Sequence, residues 1–369
     1  MFWYALVPVF LVCVTRQDMW KSLVQDRVWW LIVAYALLFV ASLFWSEVTK
    51  EGIAGRRIEH AVKTMLFVSA LFLAVKHGDH RVKGWLAKIL VISCVIAVSV
   101  SVYRFYSVNP LNSRLYGMFS LGGNPVYIGP LLLGCMMSAV LLSWGSKDKY
   151  KIIWLFLGFA AVLVFCVLSQ TRTPLFATLF FMIGYVFVKA GWKLTLFLVV
   201  LTCLALFFFI FTEEALAQTW ADRISRGLNG RQVIWYEVWQ AAKDKLFLGY
   251  GYATVFNATE AGLRIKDAIN VKINHPHGLF FSTLYYLGAV GVAVVGALIL
   301  SVFIRIGRLR NRELKAVSLL MLLALLMGTM TDFNRPISSY NSSWWIWWLP
   351  FVILLVQPEQ IEKNTERIT

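Results

Sequence analysis

Charge is what this sequence has least of: only 15% of its 369 residues are charged, and the acidic ones number 19. Soluble domains carry about 25% charged residues. That shortage, beside 59% hydrophobic residues and a mean hydropathy of +0.69, excludes an ordinary water-soluble fold and makes a bilayer the natural solvent. Cysteine is also scarce, and Cys13, Cys94, Cys135, Cys166 and Cys203 all fall inside apolar runs, which argues against a disulfide framework and against a metal site. No glycine-rich phosphate loop or other nucleotide-binding motif is present. The net charge of +16 comes from 35 Lys and Arg spread thinly between apolar stretches, without the basic stripe or fold signature of a nucleic-acid partner.

What is there is a series of apolar windows. A crossing of the ~30 Å hydrocarbon layer needs roughly 20 residues, and windows near 2–15, 28–46, 60–75, 84–103, 123–144, 152–168, 174–188, 194–212, 278–304, 316–331 and 344–356 predict an all-α polytopic membrane protein. The expected count is about eleven transmembrane helices, or twelve if one span is hidden in a merged window. The first window lacks a basic leading region and a cleavage site, so it reads as a helix rather than a signal peptide. Four segments follow: N-terminal membrane helices over 1–122, central ones over 123–212, a polar loop over 213–277, and C-terminal helices with a tail over 278–369.

Lys and Arg accumulate on the cytoplasmic side of short loops. Alternate loops hold sixteen basic residues, among them Arg16, Lys21, Lys147, Lys149, Arg308 and Arg310, against seven in the intervening loops. The richer set is assigned to the cytoplasm, which places the loop over 213–277 on the outer, periplasmic face. Trp344, Trp345, Trp347 and Trp348 then begin the last helix at the outer interface, where indoles commonly anchor.

Bulk charge is not the signal in the long loop, where eight basic residues meet seven acidic ones, so individual placements carry the argument. Asn229 and Gly230 precede Arg231-Gln-Val-Ile-Trp-Tyr-Glu-Val-Trp-Gln-Ala-Ala, in which Ile234, Trp235, Val238, Trp239 and Ala242 share a helical face. This predicts a capped amphipathic helix lying on the membrane surface. Arg231 would stand in its first turn, where unpaired N–H groups and the helix dipole favour an anion, and its planar fork suits phosphate. Pairing with Glu237 or with lipid headgroups is the simpler use of the same residue. Gly249 and Gly251 mark a turn. In Asn274-His-Pro-His-Gly, Pro276 pushes His275 toward extended backbone and places His277 at or near the first turn of the next membrane helix, a position open to a general base. Two histidines with no spaced third and fourth ligand do not make a metal site.

Three stretches together resemble the O-antigen ligase family of the bacterial envelope. Leu168-Ser-Gln-Thr-Arg-Thr-Pro looks like its Thr/Ser-Arg segment at the outer end of a helix, placing Arg172. Gly230-Arg-Gln-Val-Ile-Trp, followed by Leu248-Gly-Tyr-Gly, is similar to its Gly-Arg segment, placing Arg231. His275-Pro-His-Gly-Leu-Phe looks like its His-x-His-Asn segment, placing His277. Weaker echoes are Arg114 with Gly122-Gly-Asn-Pro, and Thr331-Asp-Phe-Asn ending at Arg335. Two departures stand out: Gly278 occupies the place of the family's Asn, and the family commonly has twelve helices and a cytoplasmic N-terminus.

The resemblance implies a metal-independent, cofactor-free glycosyltransferase of the bacterial inner membrane with its site on the periplasmic side. Its donor would be an O-antigen polysaccharide on undecaprenyl diphosphate and its acceptor lipid A-core, with membrane lipids as surroundings. His277 would be the base and Arg172 and Arg231 the diphosphate holders, with His275, Arg335 and Arg114 as further candidates. An O-antigen polymerase and a pilin oligosaccharyltransferase share the donor chemistry. A lipid-linked sugar transporter is the non-enzymatic alternative, and it should carry ionisable residues or broken helices at mid-membrane.

Overall fold

The computed structural model describes residues 17–110, 113–116, 125–212, 230–331, 333–338 and 342–366, and among these the chain is helical with no strand. The helices are α1 (Gln17–Val24), α2 (Arg27–Ala41, extended by a tight turn to Trp45), α3 (Ile53–His77), α4 (His80–Tyr106), α5 (Pro125–Leu142) and α6 (Lys151–Leu168). They continue with α7 (Arg172–Thr212), α8 (Arg231–Asp244), α9 (Glu260–Ile269), α10 (Leu279–Arg308), α11 (Arg312–Met330) and α12 (Leu349–Glu366), the last entered through a π turn at Trp344–Trp348. Eight of them, α2 to α7, α10 and α11, are long and apolar enough to cross a membrane. Of the other expected spans, 2–15 lies outside the described residues, 194–212 is the part of α7 beyond a break at Gly191 (φ 79°), and 344–356 falls within the π turn and α12.

The helices gather at two ends. At what we call the loop end, α3, α5, α7, α10 and the π turn begin and α11 finishes. Gly129 of α5 packs so closely on α7 that an added Cβ would lie 2.6 Å from Pro174 Cγ. Thr331 Oγ1 bonds Thr173 Oγ1 at 3.0 Å, and the Trp344 indole donates to Thr64 of α3 at 3.1 Å. The tryptophan cluster corrects the expected interfacial anchor: Trp344, Trp347 and Trp348 are 0–1% exposed, so they are core residues wedged among α3, α5 and the chain after α11. At the opposite end basic side chains meet acids, as in Lys88–Asp148, Lys189–Glu313 and Arg305–Asp26.

α8 also departs from expectation. Its N-cap is Gly230 in a left-handed conformation, without a side-chain cap bond, and Asn229 lies outside the described residues. Its apolar face, Ile234, Val238, Ala241 and Ala242, is buried against α9 and α10 rather than turned to a membrane surface.

The turn at Gly249 and Gly251 has a partner that the sequence did not announce. α10 is broken at Gly288 (φ 63°, ψ −161°), about 14 Å below its start at 1.5 Å per residue. The segment Leu246–Gly251 fills the break. Tyr250 N–H and Gly251 N–H donate to the Tyr285 and Tyr286 carbonyls at 2.8 and 2.9 Å, while Ala289 N–H and Val290 N–H donate to Leu246 and Phe247 at 2.7 and 3.2 Å. A Cβ at Gly288 would lie 2.3 Å from Phe247 O, and one at Gly249 2.6 Å from Tyr285 O, so both positions need glycine. Irregular backbone at membrane depth is tolerated only when its polar groups are satisfied in this way. Here a helix is broken without opening a path, unlike the cavity-lining breaks of a transporter.

Candidate active site

α3 begins at Ile53, well before the apolar run that the hydropathy reading started at 60. The early start converts Arg57 and His60 from loop residues into one face of a helix, three positions apart. That face borders a cavity of about 300 Å³, lined by Arg57, His60, Tyr127, Asn334, Arg335 and a set of apolar and serine side chains. Among the described residues no acid lines it, and no ion pair reaches Arg57 or Arg335. Arg57 Nε, His60 Nδ1, Asn334 Oδ1 and Arg335 Nε are buried without a hydrogen-bond partner among those residues. A buried unsatisfied donor costs about 1–3 kcal/mol, more when charged, so an anion accepting from both guanidinium groups would offset that cost. Beneath them Tyr252 stays a protonated phenol: burial pushes it up to about 12, although the Tyr35 hydrogen bond and the charge of Arg335 act against this.

His277 stands just ahead of the first turn of α10. It has φ 57°, Gly278 follows at φ 84° as N-cap, and the helix starts at Leu279. Two left-handed residues turn the chain sharply before it enters the membrane helix. Gly278 is required for space as well, since a Cβ there would lie 2.2 Å from Met330 O at the end of α11. No side chain fits at this position without a shift of the backbone. Trp235 of α8, stacked on Phe281, donates its indole N–H to the His277 carbonyl at 3.0 Å. His275 lies beside His277 across Pro276. Its ring centroid is 4.1 Å from that of His277, its Nδ1 accepts from the His277 N–H at 3.3 Å, and its Nε2 meets Tyr127 Oη at 2.7 Å.

The other sequence candidates distribute around this centre. Arg335 is in the cavity wall. Arg172 opens α7 between Thr171, which is beside Gly129, and Thr173, which bonds Thr331, so it stands where the cavity-bearing elements meet. Arg231 opens α8 one turn ahead of Trp235, on the same face as the indole that bonds His277. Glu237 is held by Arg264 at 2.7 Å. Arg114 is a structural tie: its Nε donates to Ser169 O at 2.9 Å, beside Leu115 N–H donating to Leu168 O. Gly122-Gly-Asn lies outside the described residues, as does Asp332. Sequence reasoning missed Arg57, His60 and Tyr127; the one available signal was the Arg-x-x-His spacing, legible only once α3 is known to start early.

Residues 156–295, from α6 through the break in α10, match a family model described as O-antigen ligase. That segment, under half of the chain, supports membership of the O-antigen ligase family. The family segment contains Arg172, Arg231, His275, His277 and the Gly288 break, whereas Arg57, Tyr127 and Arg335 reach the same cluster from outside it. No curated protein matches the chain. The match supports a membrane enzyme of the ligase and polymerase type, a family that implies lipid-linked glycan substrates in general.

Proposed function

We propose that the protein is an O-antigen ligase of the bacterial inner membrane, transferring polysaccharide from undecaprenyl diphosphate to a sugar of lipid A-core on the periplasmic face. The observation that carries this reading is the cavity in which, among the described residues, Arg57 Nε and Arg335 Nε are buried without a partner and no acid lines the wall beside them. Two guanidinium forks suit the oxygens of a diphosphate, and they stabilise its negative charge as it leaves. Arg172 and Arg231 flank that position and complete the clamp. His277 takes the proton of the acceptor hydroxyl as that oxygen attacks the anomeric carbon; the bond from that carbon to the diphosphate oxygen breaks, and the diphosphate departs with both electrons. The uncapped N-termini of α3 and α10, which begin on Gly52 and Gly278 with no side-chain cap bond, add positive helix ends at the same place.

The test is transfer by the purified chain in lipid nanodiscs with a lipid-linked glycan donor. Lysine at 57, 335, 172 or 231 keeps charge but loses the fork, and each variant is expected to lose transfer while inserting normally. Full activity in all four leaves the clamp without support. In cells, deletion should give bare lipid A-core and accumulated lipid-linked polymer. Core bearing a single repeat instead assigns the chain as the polymerase.

A further inference from the structure

We propose that Asn334 and His60 form a subsite for a hydrogen-bond-donating group of the sugar attached to the diphosphate, so that the cavity separates the glycosylated lipid from the spent, sugar-free one. The proposal rests on reading the cavity as the diphosphate site.

The cavity wall is mixed in a way that a diphosphate alone does not use. Among the described residues its buried atoms without a hydrogen-bond partner include two guanidinium donors, Arg57 Nε and Arg335 Nε, but also Asn334 Oδ1 and His60 Nδ1. A guanidinium only donates and an ionised phosphate oxygen only accepts, so those two match. An amide oxygen only accepts. Set against a phosphate oxygen it would face another acceptor, and its lone pairs would stay unmatched. What suits Asn334 Oδ1 is an O–H or N–H, and the nearest such group to a lipid diphosphate is on the sugar carbon beside the anomeric one.

Both walls repeat the same pairing. On α3, Arg57 and His60 are three positions apart and share a face. After α11, Asn334 and Arg335 are adjacent in a short segment that is pinned on either side. Phe333 and Ile337 are buried, Phe333 meets Trp347 at 6.1 Å between ring centroids, and the Pro336 carbonyl accepts from the Trp348 indole at 2.8 Å. Each wall therefore presents one cation and one uncharged hydrogen-bonding group on backbone fixed by packing. His60 Nδ1 donates or accepts according to which ring nitrogen carries the proton, so it serves either side of a hydroxyl. Ile128, Leu131 and Phe333 line the same cavity and offer apolar surface to the C–H face of a sugar ring.

The arrangement bears on turnover, because product release limits many enzymes. Before transfer the lipid is held through its phosphates and its sugar. After transfer the sugar has left with the acceptor, the Asn334 and His60 contacts are gone, and only the arginines hold the spent lipid.

The test uses the full chain in nanodiscs and two probes, undecaprenyl diphosphate and undecaprenyl diphosphate bearing one N-acetylglucosamine. The readouts are the dissociation constant of each, their ratio, and thermal unfolding as a check on fold. Wild type is expected to hold the glycosylated probe about tenfold more tightly, the effect of two neutral hydrogen bonds. Asn334→Leu, similar in shape, should lower that preference about threefold and bind the sugar-free probe at least as well as wild type. Asn334→Asp keeps an acceptor and should keep the ratio, although its negative charge weakens both probes. His60→Leu should also lower the preference about threefold, and His60→Asn, whose amide stands where Nδ1 does, should restore it. A wild type without preference, or an equal change for both probes in either Leu variant, overturns the subsite. If Arg335→Met has then lost both probes, the diphosphate reading survives without it. Wild-type binding of both probes in Arg57→Met and Arg335→Met overturns the cavity reading itself.

Discussion

The two ends of the helix bundle treat arginine in opposite ways. At the opposite end Arg305 is held by Asp26 at 2.5 Å and by Glu359 at 3.8 Å, and the carboxylate of Glu362 accepts from the backbone of Arg310 and Asn311. Of the four membrane helices that begin there, α2, α4 and α11 are capped by the side chains of Asp26, Asp79 and Asn311, and α6 alone is not. At the loop end acid–base pairs such as Arg264–Glu237 lie on the loop surface, while among the described residues no acid lines the cavity beside Arg57 and Arg335, and α3 and α10 begin on bare glycine. One end completes its electrostatics within the protein, and the other, on the proposed function, leaves them to be completed by a ligand. On that reading the same residue type serves stability at one end and binding at the other.

The largest expected effect is at the loop end, where His277→Ala should lower transfer about 10² to 10⁴-fold while undecaprenyl diphosphate still binds. Loss of transfer through loss of binding alone would move His277 to the binding residues. Next, Arg57→Met and Arg335→Met should each lose most donor binding, with unfolding temperature unchanged or raised, because each removes a buried unpaired charge. Arg305→Met should do the reverse: normal donor binding in whatever folds, and a loss of about 3 kcal/mol, since Asp26 is left buried and unpaired. Matching behaviour of the two arginine classes in these assays would break the comparison.

Gly278→Asn sharpens it, by returning the family's amide. We expect lower stability and no gain in transfer, because the Cβ meets Met330 O and the backbone is left-handed. The smallest effect belongs to Asp148 at the opposite end. Lys88, and after it the Tyr150 N–H, hold its carboxyl below the ordinary value. A depressed value means that the contribution is full above the ordinary carboxylate range and is lost as the pH falls through the depressed one. Asp148→Asn should therefore lower the unfolding temperature slightly at pH 7, and the difference from wild type should vanish in acid.

The membrane class and eight of the spans were legible because apolar length is a property of the chain itself. The candidate histidine pair and Arg172, Arg231 and Arg335 were legible as polar residues at helix ends. Arg57 and His60 were not, because a hydropathy window starts after the charges, whereas the helix starts before them and makes them a face. The tryptophan run was misread for a related reason: composition says that indoles suit an interface, and only packing against Phe67 and Thr64 says that these are core. Gly249 announced a turn, but its partner Gly288 is a tertiary neighbour that no local pattern names.

The insert at Gly288 also bears on how the protein is made. Residues 246–251 are synthesised before α10, so the piece that completes α10 already exists when α10 enters the bilayer. Until the two meet, the carbonyls of Tyr285 and Tyr286 and the N–H groups of Ala289 and Val290 are without these partners in hydrocarbon, where each unsatisfied group costs several kcal/mol. The tip that completes them is itself apolar, with Phe247 73% exposed, and can enter from the side through lipid. Assembly of the loop onto the membrane helices is thus a late step that proceeds within the bilayer, and a chain stalled before it would present a half-helix with an open ladder to membrane quality control.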